Sequence, residues 1–190
     1  MEEVRSRDDV MQKWHLVNFP EELIYEIEKS IVEPLEEAVI TENSASGVAK
    51  RNSQISWIKD KNICRKVFGR ISNQVAYLDH TYVNDIEPLQ YGEYKPDGEY
   101  GWHRDVHPAP YSDGQIRKIS FSVFLNNDYT GGEFDLEVYG PNEKKRYISV
   151  DKNRKSNCII FHSDMWHRVR PVKSGVRKSI VGWLVGPQFR

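Results

Sequence analysis

The sequence predicts a mainly β fold with N-terminal helices, an α+β chain whose strands close into a jelly roll beneath a supporting helical layer. Three observations predict it. Two apolar stripes with helical spacing lie before residue 82. From residue 82 on, short β-type runs alternate with Gly-, Pro- and Asn-rich turns. The length, 190 residues, suits one domain with a sizeable core. A single domain over 1–190 is therefore expected, with a helical support region at 1–81 and a jelly-roll core at 82–187.

Taken in order, residues 1–12 are polar and are expected to fray. Residues 14–19 form a short apolar segment, read as a first strand. Asn18, Pro20, Glu21 and Glu22 then mark a helix start, with a polar cap, an early proline and acids in the first turn. Leu23, Ile24, Ile27, Ile31, Leu35 and Ala38 recur at three- and four-residue spacing and give that helix one core-facing side. Pro34 interrupts the stripe, kinking or dividing the helix. Residues 41–47 read as a loop and 54–58 as a strand. A second helix is expected over 62–78, with Ile63, Val67, Ile71, Val75 and Leu78 on its buried face.

Eight strands are expected after that, at 82–91, 100–105, 116–125, 133–138, 146–150, 157–161, 167–172 and 177–185. Pro96-Asp97-Gly98, Ser112-Asp113-Gly114, Thr130-Gly131-Gly132, Gly140-Pro141-Asn142 and Ser174-Gly175 supply turns between them. Strands at this spacing fit a two-sheet barrel whose mouth can hold a metal. In 119–125 the apolar residues alternate with serine before running continuously, which suits a strand with one face inward.

The formal net charge of −1 gives no global basic field for a phosphate backbone. Charge is uneven, however. Residues 1–40 carry 11 acidic and 4 basic side chains, while six Lys/Arg and no acid follow Asp164. This reads either as an acidic helical end and a basic catalytic end or as two solvated faces. A basic stretch at Lys144, Lys145 and Arg146 is too local to make a nucleic-acid substrate the expectation. Cys64 and Cys158 sit in apolar surroundings in different elements, which fits core packing in a reducing compartment. No apolar run approaches the ~18 residues of a membrane span, and the charged start MEEVRSRDDV lacks a signal-peptide core. A cytoplasmic protein is expected.

The chemistry centres on Tyr91 to Asp105, which ends His103-Arg104-Asp105. In an extended strand, residues two apart share a face, so this imidazole and this carboxylate project together. They make two thirds of the 2-His-1-carboxylate facial triad that leaves positions open on non-haem Fe(II). His167, 62 residues past Asp105 on a late strand, is the third ligand. Arg177 follows it by ten residues. A 2-oxo acid can chelate two open positions, and O₂ takes the third. Its far carboxylate then lies inside an apolar barrel, where an anion is costly unless paired. Arginine's planar fork suits that carboxylate.

With these residues in place the sequence resembles the Fe(II)/2-oxoglutarate-dependent oxygenases, and within them the prolyl 4-hydroxylase-like branch. The resemblance rests on His103/Asp105, His167, Pro171-Val172, Gly175 and Arg177. It extends to Tyr94 and Tyr100, to Leu125-Asn126 with Gly131-Gly132-Glu133-Phe134, and to Trp183, and it covers roughly 50–187. It implies a double-stranded β-helix, cupin-like core. His103, Asp105 and His167 would bind Fe(II), and Arg177 would hold the distal carboxylate of 2-oxoglutarate. Tyr94, nine before His103, matches a tyrosine that contacts the cosubstrate. Tyr100, three before it, and Trp183 match residues near the substrate. The implied reaction consumes O₂ and 2-oxoglutarate, gives succinate and CO₂, and hydroxylates a prolyl residue in a peptide or protein. Ascorbate is the reductant the resemblance adds.

The match has departures. Some relatives have a tyrosine before Leu-Asn that helps bind the cosubstrate; here Phe124 lacks that hydroxyl. Many collagen-type relatives have Lys where Arg177 stands. His162 competes with His167 but lacks the Pro-Val-x-x-Gly-x-Arg continuation. His107 reads as a rim residue able to touch substrate, and His15 and His80 as ordinary surface or helix-end histidines. The loops 94–99 and 106–115 are candidate lids. Other substrates remain open, namely another amino-acid side chain, a free amino acid or nucleic acid. So do a non-catalytic jelly-roll binding module and a zinc hydrolase, although a hydrolase has no need of Arg177.

Overall fold

The computed structural model of the protein describes residues 13–38, 50–75, 78, 81–138, 146–150 and 157–188. The expected fraying at 1–12, the loop at 41–47, residues 76–77 of the second helix, the turn at 140–142, Lys144, Lys145 and His80 lie outside the described residues.

The chain opens with β1 (Trp14–Asn18), α1 (Glu21–Lys29), β2 (Glu36–Glu37), β3 (Arg51–Asn52), β4 (Gln54–Ile58) and α2 (Lys61–Val75). It continues through β5 (Asp85–Ile86), β6 (Leu89–Tyr94), β7 (Glu99–His103), β8 (Gln115–Phe124), β9 (Thr130–Gly131) and β10 (Phe134–Glu137). The last elements are β11 (Tyr147–Val150), β12 (Asn157–His162), β13 (His167–Val169), β14 (Val172–Ser174) and β15 (Arg177–Pro187).

Helix α1 is shorter than its stripe. Asn18 ends β1 and does not cap the helix; the N-cap is Pro20, with no side-chain cap bond. Glu21 and Glu22 complement the exposed N–H groups instead. Ser30 stops the helix, its hydroxyl donating to the Ile27 carbonyl at 2.6 Å. The chain turns away before Pro34, so Leu35 is 38% exposed and takes no part in the buried stripe. Two expected strands are split where proline removes a ladder N–H. Pro88 separates β5 from β6, and Pro171 separates β13 from β14.

Two antiparallel sheets carry the fold. The large one runs β1-β12-β8-β15-β6-β4-β2, with β5 added against β15. The smaller runs β11-β10-β13-β7-β3. Strands from the N-terminal third, β1, β2 and β4, thus extend the large sheet beside the helices. Period-2 alternation sorts the large sheet's side chains into two cores. Ile119, Phe121 and Val123 of β8, Ile160 of β12 and Ile180 and Leu184 of β15 pack with Ile27, Val67 and Ile71 of the helices. Phe124, Ile159 and Phe161 face Phe134, Leu136 and Val169 of the smaller sheet. The apolar face of 119–123 therefore meets the helical layer. Ser120 and Ser122 turn toward the barrel interior, where their small size leaves room. Among the described residues no helix is long and apolar enough to cross a membrane.

Candidate active site

The strand register brings the first cluster together. His167 of β13 lies directly opposite His103 of β7. Partners directly opposite in an antiparallel pair share a face, and the two imidazoles sit 4.1 Å apart between centroids. Asp105 arrives by another route. Strand β7 ends at His103, so alternation along a continuous strand does not place the carboxylate. The N–H groups of Asp105 and Val106 both donate to the Ser163 carbonyl, at 2.9 and 3.0 Å. That tie folds Asp105 back. Its Oδ1 lies 3.7 Å from His103 Nε2, and its Oδ2 lies 3.5 Å from His167 Nε2.

Each imidazole is oriented from behind. His103 Nδ1 sits 2.8 Å from the Gly101 carbonyl, and His167 Nδ1 sits 3.0 Å from the Met165 carbonyl. A carbonyl only accepts, so Nδ1 carries the proton and the Nε2 lone pair faces inward. One donor atom from each of His103, Asp105 and His167 lies within 4.8 Å of the others. Burial, then the charge of His167, pushes the His103 imidazole down to about 3, which keeps it neutral. Burial opposes ionisation of Asp105, but His167, His103, Arg117 and a Ser120 hydrogen bond outweigh it and hold the carboxyl at about 2. Its Oδ2 is buried without a hydrogen-bond partner. A neutral His103 imidazole and an ionised, under-satisfied carboxylate are ligand forms that a divalent ion takes.

The second cluster shares the cavity, a chamber of about 320 Å³ that both histidines and Asp105 also line. Arg177 begins β15, where its direct partner is Tyr94 of β6. It is 1% exposed. Its Nη1 donates to Ser179 Oγ at 2.9 Å, while Nε and Nη2 are buried with no partner. The rings of Tyr94 and Phe124 lie 5.2 and 5.4 Å from the guanidinium carbon. A buried guanidinium with two idle nitrogens fits a small carboxylate. The residues present therefore fit both a divalent metal and a 2-oxo diacid.

The remaining sequence-predicted residues fall around this core. Tyr100 stacks on His103, centroids 3.5 Å apart, and burial raises its phenol to about 12. Trp183 lines the chamber, and its indole Nε1 is buried without a partner. His107 also lines it, 5.3 Å from the Tyr111 ring. His162 lies outside the triad, at the end of β12. His15 lies within β1 and is half-buried. Of the candidate lids, the 95–98 turn is pinned to β14 by backbone bonds in both directions, Asp97 N to Val172 O and Val172 N to Gly98 O.

Sequence reasoning missed three residues. Arg117 lies 3.8 Å above the Trp183 ring and is held by two bonds to Glu87, at 2.8 and 2.6 Å. Arg51 lies 4.6 Å above the Tyr100 ring. Tyr129 hydrogen-bonds Arg177, which opposes the upward push of burial on its phenol. It supplies a hydroxyl beside Arg177 that Phe124 lacks. Strict alternation along β8 would put Arg117 on the helix-facing side with Ile119 and Phe121; the register shift between Leu184 and Val185 of β15 turns it to the chamber, and no local pattern announces that shift. Nothing in the sequence distinguished Arg51 from a solvated cation.

The sequence model of the 2OG-Fe(II) oxygenase superfamily matches residues 89–185, the stretch that holds the triad and Arg177. The chain belongs to that superfamily. It is 34% identical over 149 residues to a PKHD-type hydroxylase of Synechococcus sp. (strain CC9902), covering 76% of this chain and 63% of the relative. It is 28% identical over 158 residues to a PKHD-type hydroxylase of Acidovorax ebreus (strain TPSY), covering 78% and 66%. The chain thus spans less than two thirds of the length of these relatives. Among solved structures, a Pseudomonas putida prolyl-4-hydroxylase superposes with a TM-score of 0.64 at 20% identity, over 90% of this chain and 91% of that one. A viral collagen prolyl hydroxylase from Paramecium Bursaria Chlorella virus-1 gives 0.59 at 19%, over 92% and 97%. These likenesses establish the double-stranded β-helix, or jelly-roll, fold. Superfamily membership implies Fe(II) and 2-oxoglutarate, the two groups that the chamber fits.

Proposed function

We propose that this protein is an Fe(II)- and 2-oxoglutarate-dependent hydroxylase acting on prolyl residues of a peptide or protein. The supporting observation is the pairing, in one chamber, of the His103–Asp105–His167 cluster with a buried Arg177 whose Nε and Nη2 have no partner. Either alone is ambiguous, since two imidazoles and a carboxylate also suit zinc. A zinc hydrolase, however, would not leave a guanidinium idle inside its barrel.

In this reading His103, Asp105 and His167 hold the iron and Arg177 holds the distal carboxylate of 2-oxoglutarate, flanked by Tyr94. When bound, iron and 2-oxoglutarate supply the activation of O₂ and the oxidising power that hydroxylation requires. The chain supplies position and dryness. The Gly101 and Met165 carbonyls fix both imidazole tautomers. Phe161 packs 4.7 Å and Phe134 5.6 Å from His167, excluding water from that side. Tyr100 and Trp183 line the chamber and would meet a pyrrolidine ring with their edges, since His103 and Arg51 lie over Tyr100 and Arg117 lies over Trp183. The prolyl preference also draws on the prolyl hydroxylases among the structural neighbours. Two free, buried cysteines fit the reducing cytoplasm.

The test is succinate formation from 2-oxoglutarate with Fe(II) and O₂, with and without a pool of proline-containing peptides read by mass. Peptide-stimulated succinate with one oxygen added on proline is expected. Turnover that no proline peptide stimulates would remove the prolyl assignment, and iron-loaded protein without any turnover would remove the enzyme.

A further inference from the structure

Arginine partners divide the described residues into two groups. Away from the chamber, Arg168 and Arg170 share the Asp135 carboxylate and Arg146 pairs with Glu137. At the chamber, Arg117 pairs with Glu87. Arg51, Arg104 and Arg177 also line the chamber, and among the described residues none of the three is ion-paired. Among the described residues, the only carboxylate in the lining is Asp105.

The resting charges follow from the proposed function, on which this inference rests. The iron's two positive charges, the Asp105 carboxylate, the two carboxylates of 2-oxoglutarate and Arg177 sum to zero. Arg117 and Glu87 cancel each other. Arg51 and Arg104, both half-buried in the lining, are left over.

Arg51 is held by neutral groups. Its Nε donates to Ser53 Oγ at 3.0 Å and its Nη2 to Gln90 Oε1 at 2.8 Å, and its plane lies over the Tyr100 ring. Such partners fix a guanidinium without cancelling its charge. The β3–β7 pairing places Arg51 opposite Tyr100, the residue stacked on His103. Arg104 packs 5.1 Å from the Trp166 ring, with its Nε buried and unpartnered.

We infer that Arg51, supported by Arg104, recognises a carboxylate of the peptide substrate within a residue or so of the target, so that the substrate class is acidic proline-containing peptides. The carboxylate belongs to an Asp or Glu side chain or to a chain end. Arg51 is a specificity residue here.

The test uses protein loaded with Fe(II) and 2-oxoglutarate without O₂ and four fluorescent proline peptides. One is neutral and end-blocked, one has Asp beside the proline, one is neutral with a free carboxylate directly after the proline, and one is Lys-flanked. One charge-assisted contact predicts that at least one carboxylate peptide binds about tenfold or more tighter than the neutral one. The advantage shrinks as salt rises. Whichever arm binds tighter identifies the carboxylate's source. Arg51→Met should remove the advantage and Arg51→Lys restore part of it, with 2-oxoglutarate affinity measured on each variant as the fold control. Equal binding of neutral and acidic peptides, or an advantage that survives Arg51→Met, overturns the inference. Admitting O₂ afterwards separates it from the prolyl reading. Hydroxylated neutral peptides without acidic preference sink the inference alone. Tight acidic binding with no oxygen on any proline sinks the prolyl assignment and leaves the carboxylate site standing.

Discussion

At the scale of single residues, Arg177 is an unusual charge to bury, because two of its nitrogens have no partner within the chain. Hydrogen bonds to charged groups contribute about 1.5–3 kcal/mol each. Losing two to a carboxylate should raise the dissociation constant for 2-oxoglutarate about a hundredfold or more. Arg177→Met is therefore expected to bind metal normally and 2-oxoglutarate poorly, as titration calorimetry on both ligands would show. Its ligand-free stability should match or exceed wild type, since an apolar side chain replaces an unpaired buried cation. His103 makes a second residue-scale prediction. In metal-free protein, burial and then His167 hold its imidazole at about 3, below the ordinary 6.5. Below 6.5 the unfolded chain takes up a proton that the folded chain refuses until about 3, so acidification through that window favours unfolding. Denaturation midpoints of chelator-treated protein should fall as pH drops from about 6.5 to about 4. His103→Gln should flatten that slope; an unchanged slope would mean the imidazole is not held neutral.

At the scale of elements, the turn between β9 and β10 sets the position of Arg177. Gly132 has φ +63°, and a Cβ there would stand 3.1 Å from Arg177 Cδ and 3.0 Å from Val172 Cγ2. Gly132→Ala is expected to cost ~1–2 kcal/mol for the left-handed backbone alone. It should also weaken 2-oxoglutarate binding more than metal binding, because the collision is with the anchor. Denaturation curves beside ligand titrations would separate the two effects. The same scale shows what the sequence can and cannot tell. Tyr94 and Arg177 are legible through their spacing to His103 and His167 within the family resemblance, since alone they read as a barrel-lining aromatic and an edge-strand arginine; the strand register makes them neighbours. The convergence of His103 with Asp105 agrees with strand alternation but has a different cause. The carboxylate is folded back by the Ser163 carbonyl, a tertiary contact that no local pattern encodes. The first helix is shorter than its sequence pattern because Ile31 and Leu35 keep helical spacing after Ser30 has already capped the chain. Arg51 is invisible in the sequence, because a cation held by Ser53 and Gln90 over a tyrosine reads there as surface.

At the scale of the whole molecule, one large sheet serves two cores. Its apolar alternate residues hold the helical layer, and its serines, arginines and aromatics line the chamber. The basic excess near the C-terminus divides the same way. Arg168 and Arg170 are neutralised on Asp135, while Arg177 is kept for the interior. The proposed function requires this chamber to hold iron and 2-oxoglutarate together. The most direct measurement is an oxygen-free titration of 2-oxoglutarate into wild-type protein with and without Fe(II), repeated with Asp105→Ala and Arg177→Met. Binding that requires Fe(II) in the wild type, and is lost in Asp105→Ala and weakened about a hundredfold in Arg177→Met, is the predicted result. Binding that ignores the metal, or survives both substitutions, would contradict it.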